Sequence, residues 1–507
     1  MTERESPTLR GWKTPGGICI KQKPTPTLPA ISYMISKLKE ELQGGNVIFI
    51  INTELDPRIS EAIKLYSEKF ETTYVELKNI DKFSGHPTYK GMKEICDQIY
   101  MTTHKRRNTM KKEKVILNNP ERFSKPHTID RVKLEAAAKA ACDKLKARVE
   151  KEGIGFPSTC SKDYKYAQGA NNNWECGMYT GCFWLAYQLS GDEFFKNVAL
   201  EQLKTYYTRW EDKVELDDHD VGFVYSVGCV PAYKLLGDEN AKKLALEVFD
   251  YYYNTSYSHE GKFIIRSHKG WRGGSAAGYR TMMDSLLNAP YFCWASEVTG
   301  NPEYRKAAID HVKTTADYLI REDGSSFHHY QFDPETSKPL YGLTWQGYTD
   351  DSCWSRGHSW GVYGFPIAYS YQNEEFIKEV HKKVAYFMLN HLPDDCIPYW
   401  DYDFVDGDEP RDSSAGAVSA CGFLEMASMM DDSEPDKVIF ESAAAQLLEA
   451  VIDNCTGDIG VDYDGLICHV THAKPQGQGI DECAVYGDFF YLEALARYLV
   501  PGFKKYW

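Results

Sequence analysis

The residue types with the most chemical potential lie in one stretch, residues 345–364. Six aromatic or histidine side chains, one arginine, two aspartates and four glycines occur within these twenty positions. Aromatic rings offer flat apolar faces to the C–H groups of sugars, Arg356 offers a bidentate fork for a carboxylate, and glycine lets the backbone approach a ligand closely. The stretch predicts the floor of a sugar site, and an aromatic helix start buried for stability is the alternative.

Two aspartates elsewhere could supply acid–base chemistry. Asp284 follows Met283 and precedes two leucines. Desolvation among such neighbours favours the protonated carboxyl, which is the form that a general acid needs near neutral pH. A buried cap or a salt bridge with Arg280 is the structural alternative. Asp220 opens a helical pattern, where capping is a common role for aspartate.

These residues need a scaffold that brings distant segments together, and the sequence predicts a helical one. From Ile129 onward, apolar residues recur at helical spacing with hardly any strand alternation. The predicted helices are 130–152, 176–190, 193–210, 219–236, 238–254, 280–299, 302–320, 354–371, 373–390, 413–430, 435–454 and 482–499.

Several of these helices are joined in the same way. Residues 191–192, 237–238 and 300–301 each combine a glycine that ends one helix with an Asp or Asn that caps the next. Within several pairs the first helix is apolar and aromatic, and the second alternates charged with apolar residues, which predicts inner and outer positions. Six such hairpins form an (α/α)6 barrel. A plain α-solenoid is the alternative, although its repeats keep a tighter length and motif.

In such a barrel, the segments that enter the inner helices line the funnel. We therefore expect the polar residues before four of these helices to meet at one rim. The four segments are Asn171–Trp174, Asp217–Asp220, Tyr279–Asp284 and the stretch 345–360.

The N-terminal part has a different pattern. An apolar β-branched run at 47–52 is typical of a buried parallel strand, and a second strand is predicted at 73–77. Helix-like sequence lies between them, so residues 1–103 predict a small α/β fragment. Residues 104–128 are basic and polar and indicate a linker, which leaves 129–507 as the barrel domain.

Composition and charge restrict the partners and the cellular location that we expect for the protein. A net charge of −15 argues against a general nucleic-acid surface. No run of about 18 apolar residues marks a membrane span, and the polar N-terminus lacks the apolar core of a secretion signal. The fourteen cysteines are scattered without CxxC pairs, as in a reduced cytosolic protein. We therefore expect a cytoplasmic protein with no nucleic-acid or membrane partner and no zinc site.

A set of segments, in order over residues 130–505, resembles the unsaturated glucuronyl hydrolase family. Each segment alone is a weak signal, whereas the ordered set is highly specific. The segments are Trp174-x-x-Gly177, His219–Phe223, Met282–Asp284, Gln346–Gly364, Asp412–Ala417 and Tyr486–Ala494.

The resemblance implies removal of a 4,5-unsaturated uronic acid from the non-reducing end of lyase-generated oligosaccharides. Chondroitin, hyaluronan and heparin disaccharides are the expected glycosaminoglycan sources. The resemblance assigns proton donation to Asp284, and charge stabilisation with substrate orientation to Asp220. It implies no metal and no cofactor. The substrate contacts that it implies come from Trp174, His219, His328, Gln346, Trp354, Arg356 and Trp360.

Departures from the family pattern leave the substrate open. Trp345 stands where members often carry a His, which exchanges a polar contact for stacking. Some members bind sulfate near the C-terminus, where this chain offers His469, Thr471, His472 and Lys474. Unsaturated rhamnogalacturonyl hydrolases share the barrel and are the nearest rival. An inactive sugar-binding protein is the alternative from another class.

A second resemblance concerns residues 30–103, which are similar to the last third of an SGNH-type esterase. In that family a His-Pro pair, here His86-Pro87, carries the catalytic base. The Gly-Asp-Ser nucleophile segment is missing upstream, and Phe83 and Ser84 stand where an Asp is expected. The pattern therefore predicts a truncated fragment without esterase activity.

Overall fold

The computed structural model describes residues 115–267 and 278–507, together with the backbone of six short strands before residue 114. The chain divides into two compact units, Met1–Glu113 and Lys114–Trp507. In the first unit the strands are β1 Lys13–Thr14, β2 Gly17–Ile18, β3 Ile48–Ile51, β4 Thr73–Glu76, β5 Lys82–Phe83 and β6 His86–Pro87. Strands β3 and β4 pair in parallel, which confirms the predicted parallel strands. The helices predicted in this unit lie outside the described residues.

Helices dominate the second unit, as predicted. They are α1 Arg131–Glu152, α2 Cys176–Ser190, α3 Glu193–Glu211, α4 Val221–Gly228, α5 Val230–Leu236, α6 Glu239–Ser256, α7 Ala289–Thr299, α8 Pro302–Tyr318, α9 Ser355–Gln372, α10 Glu375–Asn390, α11 Ser413–Ser428, α12 Pro435–Cys455 and α13 Val485–Leu499. The strands are β7 Phe156–Pro157, β8 Gln168–Gly169, β9 Tyr257–Ser258, β10 Phe263–Ile264, β11 Arg280–Met282, β12 His329–Phe332 and β13 Pro339–Leu343.

Six inner helical positions close into a ring. Helix α2 packs on α4, α4 on the 3₁₀ turn that leads into α7, that turn on α9, α9 on α11, α11 on α13, and α13 again on α2. These helices are buried on nearly all sides, whereas outer helices such as α3 and α6 bury one face. The architecture is the predicted (α/α)6 barrel. A Cβ on Gly177 would lie 2.2 Å from the Phe223 carbonyl oxygen, so glycine permits the close approach of α2 to α4.

The helix joints follow the sequence prediction. Gly191 has a φ of 68° and ends α2 in the left-handed conformation. The Asp192 side chain then accepts a hydrogen bond from the Phe194 N–H at the start of α3. The same arrangement recurs where Asp238 caps α6 and Asn301 caps α8.

Two predicted helices differ from the structure. Residues 280–299 were predicted as one helix, but β11 comes first, then a 3₁₀ turn at Asp284–Asn288, and only then α7. The strand forms because its partner β12, which is distant in sequence, supplies the backbone bonds. The predicted helix 219–236 is broken at Cys229, because Pro231 in the first turn of α5 lacks the N–H that a continuous helix would need.

Part of the predicted linker packs on the barrel. Phe123 is buried, and the Arg122 guanidinium donates to the Leu392 and Pro393 carbonyls before α1 begins. Residues 115–128 therefore belong with the helical unit. Within the described ranges, no helix has the length and apolar character needed to cross a membrane.

Candidate active site

Two aspartates and one histidine meet where the chain enters two neighbouring inner helices. Asp220 precedes α4, and Asp284 opens the 3₁₀ turn before α7. The Nε2 atom of His219 lies 2.9 Å from Asp284 Oδ1 and 3.2 Å from Asp220 Oδ1. The two carboxyls that sequence reasoning selected are therefore bridged by one ring nitrogen.

The His219 ring is held from its other side. Its Nδ1 lies 2.7 Å from Asp218 Oδ1, and Asp218 is ion-paired with Arg266. The His219 carbonyl accepts from the Tyr252 hydroxyl and the Asn288 side-chain amide. Both ring nitrogens face carboxylates and only 2% of the residue is exposed, so His219 positions the aspartates. The hydrogen bond from His219 to the sugar stays a prediction.

Burial and mutual repulsion control the charge of this cluster. Burial raises the pKa of Asp220 to about 7; the His219 charge opposes the rise, and Asp284 and Glu175 add to it. For His219 burial opposes the charge, but Asp220 and Asp284 outweigh it and raise the pKa. Two neighbouring carboxyls resist simultaneous ionisation, so the cluster retains an acidic proton near neutral pH.

Glu175 is a third carboxyl that the sequence reasoning missed. It precedes α2 directly after Trp174, is fully buried, and has no partner at hydrogen-bond geometry among the described residues. Burial raises the pKa of its carboxyl to about 7. Its position beside a predicted site residue was the only available sequence signal.

A continuous wall of rings and one guanidinium lines the site. Trp174 stacks on Tyr486 with ring centroids 5.5 Å apart. The Arg356 guanidinium lies between Tyr486 and Trp354, 4.6 Å from each ring. Trp354 in turn contacts His328, with centroids 4.5 Å apart. The barrel thus assembles predicted residues from four separate segments into one surface.

The Arg356 guanidinium is hydrogen-bonded to other groups of the protein. It is buried and paired with Asp412 at 2.6 Å, and it also donates to the Thr471 and His472 carbonyls. Both terminal nitrogens of its fork are therefore occupied. These contacts fix the guanidinium between the two rings and tie it to the loop around residue 472. The contact of Arg356 with a uronate stays a prediction.

The other predicted contacts differ in accessibility. Trp360 is 2% exposed and packs against Phe223 and Phe490, so it supports the wall from behind. Gln346 is half-buried and donates to the His472 carbonyl. The most exposed rings beside the site are Trp345 and Tyr348, at 58% and 56%.

The C-terminal loop is a poor anion site in this arrangement. Lys474 is paired with Glu409, and His469 with Asp481 at 2.7 Å. Burial lowers the pKa of His472 to about 3, so this ring is neutral. The loop supports the site instead, because Gln476 donates to the Trp345 carbonyl at 2.6 Å.

Only one described cluster has metal-ligand spacing. One ligand atom each from Asp218, His219 and Asp220 lies within 4.8 Å of the others. Hydrogen bonds already occupy both ring nitrogens, and Arg266 already neutralises Asp218. These contacts account for the cluster as a hydrogen-bond network.

A half-buried carboxyl pair where the chain enters inner helices of an (α/α)6 barrel, beside aromatic rings, fits a glycoside hydrolase. The model of Glycosyl Hydrolase Family 88 matches residues 154–493, and the chain belongs to this family. A model described as GDSL-like Lipase/Acylhydrolase matches residues 19–103, in agreement with the N-terminal resemblance.

The chain matches individual relatives over nearly their whole length. The unsaturated chondroitin disaccharide hydrolase of Streptococcus pyogenes serotype M1 is 36% identical over 393 residues, which are 77% of this chain and 97% of the relative. The crystal structure of unsaturated glucuronyl hydrolase from Streptococcus agalactiae superposes with a TM-score of 0.74 at 33% identity, covering 78% of this chain and 98% of that one. An Asp-to-Asn mutant of that enzyme complexed with dGlcA-GalNAc6S superposes with a TM-score of 0.68 at 31% identity, covering 78% and 100%.

Proposed function

We propose that the protein hydrolyses 4,5-unsaturated uronic acids from the non-reducing end of glycosaminoglycan-derived oligosaccharides. The observation that carries the proposal is the half-buried pair Asp220 and Asp284 bridged by His219. The names of the relatives support it, since one is an unsaturated chondroitin disaccharide hydrolase and another is complexed with dGlcA-GalNAc6S.

The chemistry suits a carboxyl pair that retains one proton. The unsaturated ring is a vinyl ether, so protonation at C4 leaves positive charge at C5, shared with the ring oxygen. We assign the proton to Asp284 and stabilisation of the charge to Asp220. Water then adds at C5 and loses a proton to the same carboxyl that gave one, and the hemiketal opens and releases the sugar from C1. The rule that relates carboxylate separation to stereochemistry does not apply to this reaction.

The site wall would hold the sugar during these steps. Trp174, Trp354 and His328 offer ring surfaces, and Gln346 offers an amide beside them. The exposed Trp345 ring is placed to stack on the sugar that leaves. No step requires a metal or a cofactor.

Loss of the ultraviolet absorbance of the unsaturated uronide tests the activity. Chondroitin, hyaluronan and heparin disaccharides should each be incubated with the protein, and at least one should lose its absorbance. No loss with any of them, but turnover of rhamnogalacturonan products, would move the assignment to unsaturated rhamnogalacturonyl hydrolase. Binding by calorimetry without any absorbance change would indicate an inactive sugar-binding protein.

The proposal also covers the domain organisation of the chain and the cellular location of the protein. Residues 1–103 would be a relic fragment, and the barrel unit would carry the activity. The cysteines of the described residues are free, and nearly all are buried, which supports a reducing compartment such as the cytoplasm. Cell fractionation with antibody detection checks this, and recovery of the protein outside the cell would contradict it.

A further inference from the structure

The segment 505–507 packs against the end of the barrel opposite the candidate active site. The site residues lie where the chain enters inner helices, whereas this segment is bound where inner helices finish. The Lys234 ammonium, near the end of α5, donates to the carbonyls of all three residues of the segment. The Tyr371 hydroxyl, near the end of α9, donates to the Trp507 carbonyl at 2.6 Å. The segment is therefore fixed to this end of the barrel from two inner positions.

The Trp507 side chain lies inside the barrel among aromatic rings. It is 1% exposed, and its ring is stacked on Phe490 with ring centroids 6.0 Å apart. It meets the Phe223 and Tyr363 rings edge-on, at 6.0 and 6.2 Å. The indole N–H donates to Glu493 Oε2 at 3.1 Å. The indole therefore cannot turn away from these rings without losing a buried hydrogen bond.

Phe223 connects Trp507 to the wall of the site. Its ring centroid lies 6.0 Å from that of Trp507 and 5.7 Å from that of Trp174. Phe223 also belongs to α4, which begins directly after Asp220. Trp174 is one of the rings that would hold the sugar in the proposed reaction. A single aromatic side chain thus separates Trp507 from a ring of the substrate site.

Close packing makes the position of Phe223 depend on Trp507. Phe223 is 1% exposed, and protein interiors are packed as densely as organic crystals. Removal of the indole would leave a cavity beside Phe223, and buried neighbours relax partly into such a cavity. A shift of Phe223 would take away the support of Trp174 on the side away from the sugar.

We propose that Trp507 is a positioning residue for the substrate, because it holds Phe223 in place and thereby sets the position of Trp174. The inference rests on the proposed function and extends its site to the opposite end of the barrel. Stacking of Trp174 on the sugar is present before and during proton transfer, so it contributes mainly to binding. Loss of the Trp507 ring should therefore raise KM more than it lowers kcat.

Two substitutions in the same segment isolate this effect. Trp507→Leu removes the ring that faces Phe223 but keeps an apolar side chain. Tyr506→Leu is the matched control, because Tyr506 is also buried but its ring contacts Phe503 and its hydroxyl accepts from Gln188. Both variants should lower Tm, since each leaves a cavity. Only Trp507→Leu should raise KM for the disaccharide that the wild type cleaves, by roughly 2- to 10-fold, the range for loss of one aromatic contact.

A double-mutant cycle tests whether the effect passes through Phe223. Phe223→Leu alone should raise KM, because Trp174 loses the ring that supports it. Addition of Trp507→Leu to Phe223→Leu should raise KM no further, whereas independent effects would multiply. Multiplication of the two effects would overturn the inference.

The outcomes separate this inference from the proposed function. A wild type that cleaves a disaccharide, with an unchanged KM in Trp507→Leu, overturns the inference alone. An equal rise of KM in Tyr506→Leu overturns it too, since the effect would then come from general loosening of the segment. A wild type that cleaves no unsaturated uronide overturns the proposed function and the inference together. If thermal unfolding shows that Trp507→Leu does not fold, Trp507→Phe replaces it; its smaller ring loosens the contact, so a smaller rise of KM is expected, and no rise contradicts the proposal.

Discussion

The Nε2 atom of His219 lies 2.9 Å from Oδ1 of Asp284. Because Nδ1 of the same ring faces Asp218, the ring can donate from both nitrogens only as an imidazolium. A buried positive ring reduces the repulsion between Asp220 and Asp284 and holds them in place. The charges of Asp220 and Asp284 raise the pKa of His219, so the ring and the two carboxyls depend on one another for their charge. Asp218 holds the ring in place through Nδ1.

Asp218→Asn tests this chain of contacts. The variant keeps the shape of the side chain but removes the carboxylate that lies 2.7 Å from Nδ1 of His219 and pairs with Arg266, so the Arg266 charge beside the ring is left unopposed. The pKa of His219 should therefore fall, and the fraction of the ring that is an imidazolium should fall with it. We expect the alkaline limb of the kcat profile to move to lower pH, with KM little changed.

Asp217→Asn is the matched control for this experiment. Asp217 is the neighbouring residue, and it accepts from the Ser267 hydroxyl at 3.3 Å. The control should leave the alkaline limb in place. Equal displacement of the limb in both variants would show that the effect is not specific to the partner of His219.

Asp284→Asn and Asp220→Asn separate the two catalytic roles. Loss of the transferable proton in Asp284→Asn should lower kcat by roughly 10²- to 10⁴-fold, the usual contribution of general acid catalysis. Asp220→Asn should also be severely impaired, through lost stabilisation of the charge at C5. Single-turnover absorbance traces measure both. Near-wild-type turnover in Asp284→Asn beside a dead Asp220→Asn would reverse the assignment.

The sequence was sufficient for the barrel and for the carboxyl pair, because both depend on local signals. Helical periodicity and the glycine joints near residues 191, 237 and 300 are readable over a few residues. Asp284 was recognisable by its apolar neighbours alone. The structure then placed it 2.9 Å from His219, which precedes it by a long stretch of chain.

The features that the sequence did not reveal depend on partners that are distant in sequence. Only the fold shows that the Arg356 guanidinium binds Asp412 and the loop near residue 472. Strand β11 was wrongly predicted as part of a helix. Its hydrogen-bond partner β12 lies about fifty residues later in the chain, and the periodicity of a short segment carries no information about so distant a partner.

Glu175 should influence the pH dependence of kcat through its effect on the pKa of Asp220. Its charge adds to the rise in the pKa of Asp220, so Glu175→Gln should lower that pKa. The limb of the kcat profile near pH 7 should then move to lower pH. Glu211→Gln, at an exposed position on α3, is the control and should leave the profile unchanged.

Glu175→Gln should also alter the pH dependence of the stability of the fold. The folded pKa of Glu175, about 7, lies above the unfolded value of about 4.3, so the folded state binds the proton more tightly. The wild type therefore loses stability as pH rises from about 4 to about 7. Glu175→Gln removes this contribution and should flatten the curve of Tm against pH, and an unflattened curve would contradict the buried, unpaired carboxyl.

The ion pair of Arg356 with Asp412 predicts a large stability effect. Both side chains are buried, and removal of one partner leaves an uncompensated charge. Asp412→Ala should lower the free energy of unfolding by about 3–5 kcal/mol, measured by urea denaturation. Glu135→Ala breaks the exposed pair with Arg131 and should change stability little. Equal effects in the two variants would contradict the structural role of Arg356.

Deletion of residues 1–109 should leave the hydrolase folded and active. The six inner helical positions close into a ring without any residue before α2, and α1 begins at Arg131. The segment from residue 115 must remain, because Phe123 is buried and Arg122 binds two carbonyls. Deletion of residues 1–128 is the matched control and should lower Tm, since it removes those contacts. Loss of activity in the shorter deletion, with disaccharide turnover as the measurement, would show that the N-terminal unit is a working part of the enzyme.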